Sequence, residues 1–266
     1  MVKTHNFPIF HILVFIGSIL FLISGIRAQG PPVYVQTPIL LGLDGGGVRT
    51  FGKLIKKGNV NIYLQPVVVP YNITAKFQMG GIAPFISKSV NEMEAQTGLG
   101  DMALFAKYVF FQKDGKGKTF RVLARVKQSF PTGKTNVTPA IGTGSYQTLT
   151  GLVAGYVTTK FGVYGDFGYN YTSAGLPDNL VYDFGFSVPL LPQQYPPNQI
   201  NLSLEFTGNY IFGKSSNNFF VAPAIQYIAG RRVLFETGVQ LPLIEDVEPG
   251  QKTKFMVLLG TRILIF

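Results

Sequence analysis

The chain has no cysteine and no tryptophan among its 266 residues, and its two histidines, His5 and His11, both lie near the N-terminus. Without cysteine, the fold cannot depend on disulfides. Beyond residue 28 the absence of histidine also excludes Ser-His-Asp triads, Cys-His pairs and zinc sites built from histidine or thiolate ligands. We therefore assign no catalytic, cofactor-binding or metal-binding residues, and we predict a protein that is not an enzyme and carries no cofactor.

Charged residues are scarce as well, at 14% of the chain, and the mean hydropathy is positive at +0.24. Yet only one apolar run is long enough to cross a bilayer as a helix, and it lies within the first 28 residues. An apolar chain without internal spanning helices is typical of a β-barrel whose outer surface contacts lipid. A soluble β-sandwich with a large core is the alternative.

Residues 1–28 have the pattern of a secretory signal peptide, with Lys3 before an apolar stretch and a candidate cleavage site after Ala28. An uncleaved membrane anchor is the alternative interpretation. Residues 29–57 form an N-terminal segment with a candidate first strand and a Gly-rich loop, and residues 58–266 form the barrel. The basic residues are scattered singly, which argues against a nucleic-acid partner.

The clearest pattern is a strict alternation of polar and apolar side chains over residues 100–130. Lys107 and Arg125 belong to the charged set, Tyr108 belongs to the apolar set, and a turn at residues 113–117 joins the two runs. This pattern predicts a β-hairpin with one polar and one apolar face. Because similar alternation recurs along the chain, we predict many such strands.

We predict an all-β fold, a transmembrane antiparallel up-and-down β-barrel of about twelve strands, within a range of roughly 10–14. The first strand falls within residues 33–53, and a turn at residues 69–71 separates the next two. Short connections on the side of the termini and longer ones on the other side favour an outer-membrane barrel. The terminal Phe266 is expected to help the barrel-insertion machinery recognise the last strand.

Charged residues on the polar strand faces are predicted to line the lumen. The candidates are the basic residues Lys76, Lys107, Arg121, Arg125, Lys127 and Arg232, and the acidic residues Asp101, Asp166, Asp183, Glu205 and Glu236. A basic wall facing an acidic wall would satisfy the buried charges and set a transverse field across a narrow lumen.

Several short motifs resemble, in the same order, the outer-membrane family named for the meta-pathway of phenol degradation. They are Gly98-Leu99-Gly100-Asp101, Ala106-Lys107-Tyr108, Phe130-Pro131-Thr132-Gly133, Gly142-Thr143-Gly144-Ser145, and the segments at residues 201–208, 221–227 and 238–243. The resemblance covers about residues 98–266. It implies an outer-membrane β-barrel that passes hydrophobic or aromatic compounds, and it transfers no catalytic residue.

The function that we expect is a passive channel for small, hydrophobic or aromatic solutes in the cell outer membrane of a Gram-negative bacterium. Its expected partners are outer-membrane lipid, lipopolysaccharide and the solutes themselves. A non-transporting structural or partner-binding barrel is the alternative. A barrel-embedded hydrolase is a further, less favoured alternative. Separately, residues 42–50 resemble the oxyanion loop of patatin-like lipases. The hydrolytic reaction of those lipases also needs a nucleophilic serine in a Gly-x-Ser-x-Gly segment, and this sequence has no such segment.

Overall fold

The computed structural model describes residues 30–91, 93–192, 194–213, 216–247 and 252–265. The predicted signal peptide and Phe266 therefore lie outside the described residues. Among the residues described, no helix is long and apolar enough to cross a membrane. The strands are β1 (Gly46–Lys57), β2 (Val60–Asn72), β3 (Phe77–Val90), β4 (Gln96–Leu99), β5 (Ala103–Gly115), β6 (Lys118–Ser129), β7 (Gln147–Thr158), β8 (Gly162–Thr172), β9 (Asn179–Pro189), β10 (Asn198–Ile211), β11 (Ser216–Ala229), β12 (Val233–Glu245) and β13 (Thr253–Ile265).

Twelve of these strands form one closed antiparallel barrel, which confirms the predicted fold class. Each long strand pairs with its neighbours in sequence, and β1 pairs with β13 to close the ring. The short β4 is an additional strand that pairs with β3 over four residues. Beside it, β3 pairs with β5 only between Phe77 and Ile82. Closure leaves the ring itself without a free edge.

The barrel has two unlike ends. The turn end carries the start of β1, the end of β13 and mostly short connections, at residues 73–76, 116–117, 159–161, 190–197 and 230–232. The loop end carries the longer connections, among them residues 130–146 and the segment around β4. Three connections are exceptions: the two-residue β1–β2 turn and the four-residue β10–β11 connection at the loop end, and the eight-residue link before β10 at the turn end. The other connections follow the predicted asymmetry.

The outer face of the barrel is apolar. Leu104 of β5 is 57% exposed, Phe167 of β8 is 59% exposed and Leu259 of β13 is 70% exposed. Apolar side chains at this exposure cost free energy in water, whereas lipid accommodates them. The long strands have 11 to 14 residues, which suffices for a tilted bilayer crossing.

The hairpin of β5 and β6 shows how alternation produces these two faces. Lys107 pairs directly with Arg125, and both point inward. Tyr108, the next residue, is 51% exposed on the outer face, while Val109 is 1% exposed inside. A bulge after Val109 shifts the register, so Phe111 also faces outward.

Two predicted boundaries were wrong near the N-terminus. The first strand begins at Gly46, because residues 33–43 run inside the barrel instead of joining its wall. The turn after β2 lies at residues 73–76, because Pro70 sits within the ladder opposite Gly80 and does not end the strand.

Candidate functional site

The barrel interior is occupied by residues 30–45, which we call the luminal segment. Gly30 lies against the side chains of Asn201 and Gln226, near the turn end of β10 and β11. The segment then passes Glu205 near mid-barrel and returns, so that the Leu41 carbonyl accepts a hydrogen bond from Asn72 at the turn end of β2. The segment therefore enters and leaves by the turn end, and β1 begins directly after it.

The side chain of Glu205 anchors the luminal segment by binding backbone N–H groups of the segment. Its carboxylate accepts hydrogen bonds from the N–H groups of Val33 at 2.8 Å, Tyr34 at 2.7 Å and Val35 at 2.6 Å. Ser203 donates a fourth bond at 2.7 Å. Glu205 is fully buried, and bonds to an ionised acceptor in such a place are stronger than neutral ones. The charge of Glu205 is thus matched by oriented N–H groups of the chain itself.

Glu236 forms a second anchor with two arginines. Arg49 Nε lies 2.6 Å from one carboxylate oxygen, and Arg262 lies 2.7 Å from the other. The same guanidinium groups donate to the segment's backbone, Arg49 to the Val33 carbonyl and Arg262 to the Pro32 carbonyl. A buried carboxylate with two cations needs such further acceptors to satisfy the remaining donors. The ion network therefore holds the wall and the luminal segment together.

Apolar side chains of the segment complete the packing. Val33 is 2% exposed and packs with Ala224 and Leu258, and Leu40 packs against a separate inward cluster of the wall. Wall glycines leave room for these contacts. At Gly155 an added Cβ would lie 2.8 Å from Pro38, which is closer than carbon atoms approach without a shift. The fit of the segment thus depends on missing side chains as well as on charges.

Charged side chains also surround the innermost part of the segment. Lys107 donates to the Gln36 side chain at 2.8 Å. Arg125 lies 2.8 Å from Asp166, and Lys53 Nζ lies 5.7 Å from the centre of the Tyr34 ring. These groups face the part of the lumen between the segment and the loop end.

The structure places the sequence-predicted lumen residues in two groups. Inside the barrel lie Lys107, Arg121, Arg125 and Lys127 on β5 and β6, and Asp166, Asp183, Glu205 and Glu236 on β8 to β12. Lys76 and Arg232 instead occupy exposed turns at the turn end. Asp101 precedes β5 and binds loop residues, accepting bonds from the N–H groups of Gly133 at 2.9 Å and Thr143 at 2.8 Å. These three therefore do not line the strand-built lumen.

Arg49, Lys53 and Arg262 are inward-facing cations that the prediction did not include. Arg49 lies in the Gly-rich stretch, which was interpreted as a loop. Arg49 and Lys53 are four residues apart, and this even spacing, which places both on one face of a strand, is the signal that the prediction missed. Arg262 lies on the last strand, where its pairing with Arg49 in the β1–β13 ladder puts both residues on the inward face.

The interior of the described barrel offers charged side chains and hydrogen-bond donors around the luminal segment. Among the described residues there is no group of three or more His, Cys, Asp or Glu side chains that would hold a metal ion. Ion binding, solute selection and occlusion are the operations that this arrangement supports.

These features define the class of fold: a closed twelve-stranded barrel of the outer-membrane type with its interior filled by an N-terminal segment. A solved outer membrane channel from Pseudomonas putida is similar, with 15% identity and a TM-score of 0.61, over 90% of this chain and 100% of that one. No protein-family profile and no curated protein matches the chain.

Two further solved structures share the architecture. The NanC porin has 9% identity and a TM-score of 0.53, over 81% of this chain and 98% of that one. The β domain of the Bordetella autotransporter BrkA has 12% identity and a TM-score of 0.50, over 83% and 99%. At these identities the likeness shows the fold alone, and a channel, a porin and an autotransporter domain share it.

Proposed function

We propose that this protein is an outer-membrane channel for small solutes whose own N-terminal segment closes the lumen and leaves it when the channel opens. The observation that carries the proposal is the set of polar contacts between residues 30–45 and the wall, centred on Glu205. A permanent core would be expected to rely mainly on apolar packing, whereas this segment is held largely through its backbone by charged side chains. Such contacts are exchangeable with water.

Two features favour a location in the outer membrane. The signal pattern at residues 1–28 would export the chain, and the apolar outer face would contact outer-membrane lipid. The loop end would then face outward, towards lipopolysaccharide, and the turn end would face the periplasm. The solutes are small, and the resemblance to the phenol-degradation family favours hydrophobic or aromatic ones.

A disulfide between the segment and the wall tests the closing role directly. A Cβ added at Gly185 would lie 3.5 Å from the Cβ of Val35, within the range that a disulfide spans. The chain has no cysteine of its own, so the V35C/G185C pair is the only thiol pair present. We expect the oxidised protein to show little conductance in planar bilayers and the reduced protein to conduct like the wild type.

The two single-cysteine variants are the controls, because neither can close the bond. Reductant should leave their conductance unchanged. If the oxidised and reduced double variant conduct equally well, the segment does not gate the channel. If the wild type and the reduced double variant pass no current and no small solute from liposomes, the channel proposal itself fails.

A non-transporting barrel is the second candidate, and the filled lumen favours it. In that case the luminal segment would be a permanent part of the core, comparable to the side chains that fill small barrels. The same experiment separates the two functions, since a permanent core predicts no conductance in either redox state.

A further inference from the structure

Between the luminal segment and the loop end, the inward-facing cations outnumber the inward-facing carboxylates. Lys53 faces the segment's Tyr34 ring, and Lys107 and Arg125 form a directly paired couple on β5 and β6. Lys127 lies two residues beyond Arg125 on the same face and pairs with Phe105. The carboxylates at this level are Asp166 and Asp183, which are direct cross-strand partners on β8 and β9.

The carboxylates of the described lumen make their closest contacts with groups other than the three lysines. Of the described lumen groups, Asp166 pairs with Arg125 and Glu236 with its two arginines. Glu205 accepts hydrogen bonds from backbone N–H groups of the luminal segment, and Asp183 accepts one from the Gly208 N–H at 3.2 Å. Within the described part of the chain, no carboxylate oxygen lies within ion-pair distance of Lys53, Lys107 or Lys127. All three side chains are half-buried.

Half-buried ammonium groups inside a barrel attract anions, because the low-dielectric wall focuses their field. Rings lie next to two of them: Lys107 Nζ is 5.5 Å from the centre of the Phe105 ring, and Lys53 Nζ is 5.7 Å from that of Tyr34. A ligand with a carboxylate and a short apolar body would match both chemistries, since the carboxylate meets the ammonium groups and the body meets the rings.

From this arrangement we propose that Lys107 and Lys127, on the paired strands β5 and β6, form a binding site for small organic carboxylates in the lumen, beside the luminal segment. This inference rests on the proposed function, of which it specifies the solute class. Lys107 has a particular role, because it also donates to Gln36 of the segment. A bound carboxylate would compete for that ammonium group and thereby weaken one contact that holds the segment.

Binding is tested by calorimetric titration of the detergent-solubilised protein with benzoate, and with benzamide as a neutral isostere. We expect benzoate to bind with an affinity that falls as salt is raised, and benzamide not to bind. The K107Q/K127Q variant should bind benzoate about tenfold more weakly or worse, as expected for loss of charge-assisted hydrogen bonds. Heat-modifiable migration on gels checks that the variant barrel is folded.

The matched control is Lys76→Gln, which removes one charge from an exposed turn at the turn end. Its benzoate affinity should equal that of the wild type. Equal binding of benzoate and benzamide, or an equal loss of affinity in Lys76→Gln, would overturn the site. Titration requires no conduction, so a protein that binds benzoate but passes no current would disprove the channel and leave the site standing.

Discussion

The carboxylate of Glu205 in the barrel wall accepts a 2.8 Å hydrogen bond from the backbone N–H of Val33, 172 residues earlier in the chain. Two further N–H groups of the segment converge on the same carboxylate. One wall side chain thus holds a short stretch of backbone at three points, without regard to the side chains that the stretch carries.

Replacing Glu205 by Gln should loosen the luminal segment. The amide removes the charge and places an NH₂ group opposite the backbone N–H donors. We expect the free energy that holds the segment in the lumen to fall by about 3 kcal/mol, which raises the population of the released segment roughly 100-fold. A Val35→Cys reporter, buried in the wild-type lumen, would measure this through its rate of maleimide labelling.

Ser203→Ala is the control for that measurement, because it removes one bond to Glu205 but keeps the three backbone bonds. Its labelling rate should stay near that of the reporter alone. Equal acceleration in both variants would mean that Glu205 does not hold the segment through its backbone.

Replacing Glu236 by Gln should destabilise the whole barrel. The change leaves Arg49 and Arg262 as neighbouring cations without their shared anion, and breaking a buried ion pair typically costs about 3–5 kcal/mol. The free energy of unfolding, measured by urea titration in lipid vesicles, should fall by an amount in that range.

Asp114→Asn offers the matched surface comparison. Asp114 lies 3.7 Å from Arg121, but its side chain is 54% exposed, so water compensates for the lost pair. The urea midpoint should not move. A similar loss of stability in the two variants would show that the Glu236 network owes nothing to its burial.

Gly155→Val should push the luminal segment out of its place, since the new side chain would overlap Pro38. The expected result is faster chymotrypsin cleavage after Tyr34 in the folded, detergent-solubilised barrel. Gly165→Val is the control, because no heavy atom lies within 4 Å of a Cβ added there. Resistance of Tyr34 in a folded Gly155→Val protein would mean that the segment adapts without leaving.

Asp101→Asn should release the connection between β6 and β7. The Asp101 carboxylate binds Gly133 and also both the N–H and the hydroxyl of Thr143, so it ties the two arms of this connection together. Trypsin should then cut faster after Lys134. Asp178→Asn, in a different loop at the same end, should leave that cleavage unchanged.

The sequence predicted the barrel well because a β-strand repeats every two residues, and its two faces here meet opposite environments. Glu205 and Asp166 lie mid-strand, where alternation decides which way a side chain points. Lys76 and Asp101 follow the same alternation on paper but fall just outside their strands. Alternation carries no information about where a strand stops, so these two were misplaced.

The luminal segment could not be predicted in this way. Val33, Tyr34 and Val35 have the composition of a strand, and an extended backbone in the lumen looks the same in sequence as one in the wall. What separates the two is the destination of the backbone N–H groups, which here is Glu205 on β10. That partner is fixed by the closed barrel and is invisible to any local pattern.

The luminal segment meets the turn end twice, at Gly30 and again near Leu41, where Asn72 binds its carbonyl. Both ends of the described segment therefore lie at the same end of the barrel. No part of it would have to pass through the barrel for the lumen to clear. The proposed withdrawal would bend the chain in the short stretch before Gly46, which pairs with Ile265 of β13. The luminal segment and β1 are consecutive pieces of one chain, so the proposed withdrawal of the segment would break no strand pairing.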